Sequence, residues 1–158
     1  MVPNTHSFRR AFSLLELVIV VVILGIIGAI AIPRMSRGSE GASDSALVAN
    51  LAVLRNAIEL YQAEHEGLLP TAADIEAQLT TYTSAAGADN ATKDTTYIYG
   101  PYIRTIPPLP VGTNKGSNGI AAADAAGVGW IYDATTGAIT ANLPNTELDA
   151  RGVPYTDY

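Results

Sequence analysis

The chain has 158 residues, a length that suits one domain, and 48% of them are hydrophobic. It contains no cysteine, which excludes disulfide staples and thiolate metal sites. Nine Lys+Arg against 15 Asp+Glu leave a net charge of −6, a balance that repels phosphate and sets nucleic-acid binding aside.

Charge and hydropathy are unevenly distributed. Before Phe12 the charged side chains are Arg9 and Arg10; from Arg34 onward there are 7 basic and 14 acidic side chains, so this part should face water. Between them, Phe12 to Ile32 is a run of 21 residues with one charge, Glu16. As an α-helix at about 1.5 Å per residue it would span about 32 Å, enough for a hydrocarbon core of roughly 30 Å. A helix in a water-surrounded core would show a polar stripe, and Leu17 to Ile32 has none. A secretory signal would have a shorter apolar stretch followed by a small-residue cleavage site, and Ile30-Ala31-Ile32 fits that poorly. A plain anchor leaves Glu16 unexplained, because a carboxylate costs up to about 2.5–3.5 kcal/mol at mid-membrane. Arg9 and Arg10 precede the run and Arg34 and Arg37 follow it, so counting basic residues does not orient it.

The segment Arg9-Arg10-Ala11-Phe12-Ser13-Leu14-Leu15-Glu16 resembles a prepilin-type leader. With the apolar run and Pro33, it makes the chain similar to the type IV pilin-like family, most of all the major pseudopilins of type II secretion systems. The resemblance implies a leader at residues 1–11, removed by a prepilin peptidase between Ala11 and Phe12, and N-methylation of Phe12. It also implies a transmembrane and polymerisation helix at 12–33 and a periplasmic domain at 34–158, on a single-pass bacterial inner-membrane protein. The family carries Gly before the cut, where this chain has Ala11. Glu16 falls at the family's glutamate position and Pro33 at its helix-bending proline, which marks both as assembly residues.

The physics of that motif can be stated separately. Cleavage would free an α-amino group, with a pKa of about 7.7–8.0, one helical turn from Glu16. In a stack of such helices, Glu16 of one subunit can meet the Phe12 amine of the next. Two charges that are each costly in lipid become less costly when paired. The competing reading is that Glu16 only reaches up to the headgroups. Gly25, Gly28, Ala29 and Ala31 permit close helix contacts, and Pro33 kinks or ends the helix.

Met35 to Ala42 carries two glycines and two serines and reads as a soft point between anchor and domain. Leu47, Leu51, Leu54, Ile58 and Tyr61 then recur at spacings of four and three, which predicts a helix from about Ser43 to Glu66, stopped by Gly67 with Pro70 beyond. Thr71-Ala72-Ala73-Asp74 reads as a capping box opening a short helix to about Thr81, with Ile75 and Leu79 on its apolar side. Ser84 to Asp94 reads as a surface loop, and Asn90-Ala91-Thr92 within it fits the glycosylation acceptor pattern. Tyr97 to Pro110 reads as extended and proline-punctuated, and Gly112 to Gly119 as a flexible turn. Gly129 to Asn142 predicts a β-hairpin with Trp130 and Tyr132 on one face and Ile131 on the other. The fold class expected from the resemblance is α+β and pilin-like. Its long N-terminal helix has a membrane-spanning half and a domain half, packed on a small C-terminal antiparallel sheet with long loops.

Catalytic motifs are missing from the sequence. There is no H-x-x-x-H, nucleophile elbow or phosphate-binding glycine loop, so no enzyme is expected. His6 lies in the leader, and His65 stands between Glu64 and Glu66, where solvation is expected. No cofactor is required, and the one candidate ligand is Ca²⁺. The resemblance implies calcium in the C-terminal loop region, for which Asp124, Asp133, Asp149 and Asp157 supply oxygens, although their spacing is not that of an EF-hand. The other reading is four solvated turn acids.

The function expected is that of a structural subunit of a type II secretion pseudopilus that drives protein export. Its partners would be copies of itself, prepilin peptidase, inner-membrane secretion assembly components, minor pseudopilins, and membrane lipid before assembly. A type IV pilus subunit for adhesion, motility or DNA uptake is the neighbouring alternative. A membrane-anchored periplasmic binding module, with Trp130 and Tyr132 holding a ligand, is the alternative from another class.

Overall fold

A computed structural model of the chain describes residues 12–158, and their side chains apart from those of 30–39. The chain divides into two compact units, Met1–Gly38 and Ser39–Tyr158. One helix assignment, α1 (Leu14–Glu64), covers parts of both. The expected soft point at 35–42 therefore coincides with the boundary between the units but carries helical backbone. Isolated glycines in a helix cost about 1 kcal/mol each and are tolerated when neighbours such as Met35, Arg37 and Ala42 favour helix.

In the first unit, the large apolar side chains from Phe12 to Ile27 are 44–81% exposed. They lie on every side of the helix, as expected where leucine, valine and isoleucine follow one another without a polar period. Among the described residues no helix is long and apolar enough to cross a membrane. The apolar positions with described side chains, Leu14 to Ala29, make about 24 Å of helix, less than the roughly 30 Å of a bilayer core.

The second unit is built around the predicted helix face. Leu47, Leu51, Leu54, Ile58 and Tyr61 are at most 3% exposed, with Ala57 beside them. The helix stops as its glycine foretells. Gly67 N–H donates to Gln62 O at 2.9 Å, the six-to-one bond of a Schellman ending, and Glu66 and Gly67 both take positive φ, 57° and 91°. Beyond the turn, α2 (Ile75–Thr80) buries Ile75, Gln78 and Leu79. The expected capping box is half present: Asp74 N–H donates to Thr71 Oγ1 (3.2 Å), but Thr71 N–H is taken by Gln78 Oε1 (2.9 Å). The regular helix accordingly starts after Asp74.

Two small sheets complete the unit. β1 (Tyr82–Ser84), β2 (Asp89–Asn90) and β3 (Tyr97–Tyr99) form an antiparallel sheet in the order β2-β1-β3. β4 (Gly119–Ala121), β5 (Val128–Tyr132) and β6 (Ile139–Ala141) form the second, in the order β4-β5-β6. β5 and β6 pair antiparallel as the predicted hairpin, with Trp130 opposite Ala141 and Tyr132 opposite Ile139. β4 joins β5 in parallel, so this sheet is mixed. Two glycines permit that pairing: a Cβ on Gly119 would sit 2.8 Å from Gly127 O, and one on Gly129 would sit 2.2 Å from Ser117 O. The arrangement is α+β and pilin-like, with the domain part of α1, α2, residues 106–111, β5 and β6 sharing one apolar core.

Candidate functional sites

The first candidate site is the start of α1. Ser13 O accepts the first intrahelical bond, from Leu17 N–H at 3.1 Å, which makes Ser13 the N-cap residue. Three positions on, the Glu16 carboxylate reaches back to Ser13 N–H at 3.5 Å, the outer limit for such a bond. Ser13 and Glu16 are therefore spaced as a capping box, S-x-x-E, a role distinct from the pairing expected of Glu16. The placement also puts a negative charge in the first turn, where the helix dipole favours it. Phe12 stands exposed just before it. The cut after Ala11 and the side chain of Pro33 lie outside the described residues; the backbone at Pro33 is assigned to α1.

The four candidate calcium acids sit in separate hydrogen-bonding settings. Asp124 is exposed and accepts from Asn142 Nδ2 at 2.7 Å. Asp133 closes its own turn through Thr135 N–H and the Thr136 hydroxyl, and these bonds lower its pKa. Asp157 is exposed in a short 3₁₀ turn, Tyr155–Asp157. Asp149 is buried, and both of its oxygens are taken. Oδ1 accepts from Arg151 N–H and Val153 N–H, each at 2.8 Å; Oδ2 accepts from Arg151 Nε at 2.8 Å and the Tyr158 hydroxyl at 2.5 Å. The Tyr158 bond leads the causes that hold Asp149 well below the ordinary carboxylate pKa, over an opposing push from burial. Among the described residues no group of three or more His, Asp or Glu is placed to hold a metal ion.

His65 departs from its expected solvation. It is 1% exposed and stacks on Tyr61 at 3.8 Å between ring centroids, with the planes 8° apart. Nδ1 lies 2.8 Å from Tyr61 O; Nε2 lies 3.0 Å from Ser84 O and 3.1 Å from Thr83 Oγ1. The helix ending causes the burial: the chain reverses at Glu66 and Gly67, and β1 passes over the last turn of α1. A Thr–His contact of 3.1 Å has the length of a nucleophile–base pair. Thr83 is 0% exposed, so substrate has no access and the pair is structural.

The hairpin aromatics are also closed to ligands. Trp130 and Tyr132 are 0% and 1% exposed; Trp130 Nε1 donates to Pro107 O at 2.8 Å and the Tyr132 hydroxyl to Pro70 O at 3.0 Å. Burial pushes the Tyr132 phenol up to about 12. These two side chains tie the hairpin to the backbone at Pro107 and Pro70 and do not line a binding face. Asn90, in the acceptor pattern, uses its side-chain oxygen to receive Thr92 N–H at 3.2 Å in an exposed turn.

Comparison with known proteins bears on the N-terminal site alone. Residues 7–32 match the family model described as the prokaryotic N-terminal methylation motif, which is typical of type IV pilin-like proteins with a prepilin leader. The match takes in Arg9, Arg10, Ala11, Phe12 and Glu16 and stops one residue before Pro33. No curated protein and no solved structure matches the chain.

Proposed function

We propose that the chain is a structural filament subunit of a type II secretion pseudopilus. It is processed by prepilin peptidase before Phe12, held in the inner membrane by the 12–33 helix, and polymerised through that helix to drive protein export. The observation that carries this reading is the coincidence of the methylation motif with a helix whose apolar side chains are exposed on all sides. An uncovered apolar surface of that extent needs lipid or copies of itself around it. The Glu16 carboxylate supplies the charge that would pair with a neighbour's Phe12 amine. Minor pseudopilins and the inner-membrane assembly components are the partners this role requires.

The type IV pilus reading shares every one of these features and differs in what the filament does. The binding-module reading loses its proposed site, because Trp130 and Tyr132 are core residues.

Mass analysis of the N-terminus of membrane-extracted protein tests the processing. A mature chain beginning with N-methylated Phe12 is expected, and a chain that keeps Met1 after full expression beside its peptidase would overturn the reading. Secretion and pilus roles separate in a deletion strain: export enzymes retained in the periplasm indicate the former, and loss of surface fibres with normal export the latter.

A further inference from the structure

We propose that the 147–158 segment of this chain is fastened to α1 by a metal-free clamp centred on Asp149, in the region where the family resemblance implies calcium. Calcium needs six to eight oxygen ligands at about 2.3–2.6 Å, usually with several carboxylates converging. Here the four candidate acids do not converge, and the one that is buried has four donors on its two oxygens. Arg151 stands where a cation's charge would act. Its Nε is 2.8 Å from Asp149 Oδ2, and its Nη2 also donates to the Tyr158 hydroxyl. A divalent ion at this carboxylate would have to displace a guanidinium and three other donors.

The clamp extends to the helix through a second carboxylate. Asp44, on α1, accepts Ala150 N–H at 3.0 Å on one oxygen and the Tyr155 hydroxyl at 2.7 Å on the other. Further along α1, Arg55 Nη2 donates to Tyr158 O and, at 3.3 Å, to Ile139 O. An antiparallel bridge between Leu148 and Pro154, and Tyr155 N–H on Glu147 O at 3.2 Å, close the loop on itself. Two carboxylates, two guanidiniums and two phenols thus hold a segment that has no disulfide and contains Gly152 in a left-handed turn (φ 83°). Charge-assisted bonds are the strong ones, so a saturated set can do the organising work of an ion.

The test uses the full-length protein in detergent, with unfolding followed by fluorescence of Trp130, the chain's one tryptophan. Melting temperatures equal within error in EDTA and in excess CaCl₂ are expected, together with a loss of several degrees in Asp149→Asn. A melting temperature that falls in EDTA and returns with calcium would overturn the proposal, as would an Asp149→Asn protein as stable as the parent. Should Asp149→Asn fail to fold, Tyr158→Phe decides. It removes one donor, and amide exchange of residues 147–158 is expected to speed up several-fold; unchanged protection there would equally refute the clamp.

Discussion

At the scale of single residues, the end of α1 shows how local geometry and burial divide the work. Glu66 is the described non-glycine residue with positive φ, at 57°, and it precedes a glycine that is also left-handed. An L-side chain in that region costs roughly 1 kcal/mol, and Glu66 makes no contact that recovers it in the hydrogen-bond pattern of the turn. Glu66→Gly should therefore raise stability by about 0.5–1 kcal/mol in denaturant unfolding followed by Trp130 fluorescence. One residue earlier the sign reverses. His65 is buried with both ring nitrogens engaged. His65→Ala removes these bonds, the stack on Tyr61 and the filling of the space, and should cost about 2–4 kcal/mol by the same measurement. Asp149 gives a pH signature. Its folded-state pKa is lowered, so the stability it confers is complete above the ordinary carboxylate value near about 4 and is lost as pH falls below it. In that acid range the unfolded chain binds the proton first. The parent should lose stability more steeply than Asp149→Asn between about pH 4 and pH 2, and parallel pH–stability curves for the two proteins would contradict this.

At the scale of elements, legibility followed the length of the repeating signal. The domain half of α1 was readable because five apolar positions recur over four turns, and its stop was readable because Gly67 is the residue a left-handed helix ending favours. The β5–β6 hairpin was readable for the same kind of reason: alternation on either side of Asp133–Gly137 placed Trp130 and Tyr132 together, and both are core residues. The strands β1, β2 and β4 are not legible, since they are two or three residues long and none completes a period that composition could reveal, whereas β3 lies inside the stretch from Tyr97 expected to be extended. The flexible turn expected at Gly112 to Gly119 takes in the first residue of β4. In the fold Gly119 is the small residue that lets β4 lie against β5. Gly129 has the same task from the other side: its missing Cβ would sit 2.2 Å from the Ser117 carbonyl oxygen, a backbone atom that cannot swing away as a side chain could. Gly129→Ala should then separate β4 from β5 and cost about 1–3 kcal/mol, with loss of amide protection at Ile120 and Ala121 before the hairpin itself opens. The solvation expected for His65 fails for a related reason. The flanking Glu64 and Glu66 describe the sequence around it, while its burial depends on β1, an element the sequence did not disclose.

At the scale of the whole molecule, the N-terminal site asks for a partner while the domain completes its own contacts. Among the described residues of the domain, buried side-chain polar atoms all have partners, and the aromatic groups that might have bound a ligand are spent on the core. The apolar helix from Phe12 to Ile27 has no such closure, and Glu16 is the charge it carries. Two jobs for Glu16 are physically distinct. As the third helical residue of a capping box, it needs an acceptor oxygen and can be glutamine as well as glutamate. As the partner of a neighbour's amine in lipid, it needs a negative charge. Glu16→Gln keeps the first and removes the second, whereas Glu16→Ala removes both. If pairing governs assembly, both variants should insert in the membrane, be cut and methylated at Phe12, and yet fail to form filaments when membranes are sheared and sedimented. If the cap is what matters, Glu16→Gln should polymerise like the parent and Glu16→Ala alone should fail. The glutamine variant therefore decides whether the carboxylate acts within its own helix or between subunits.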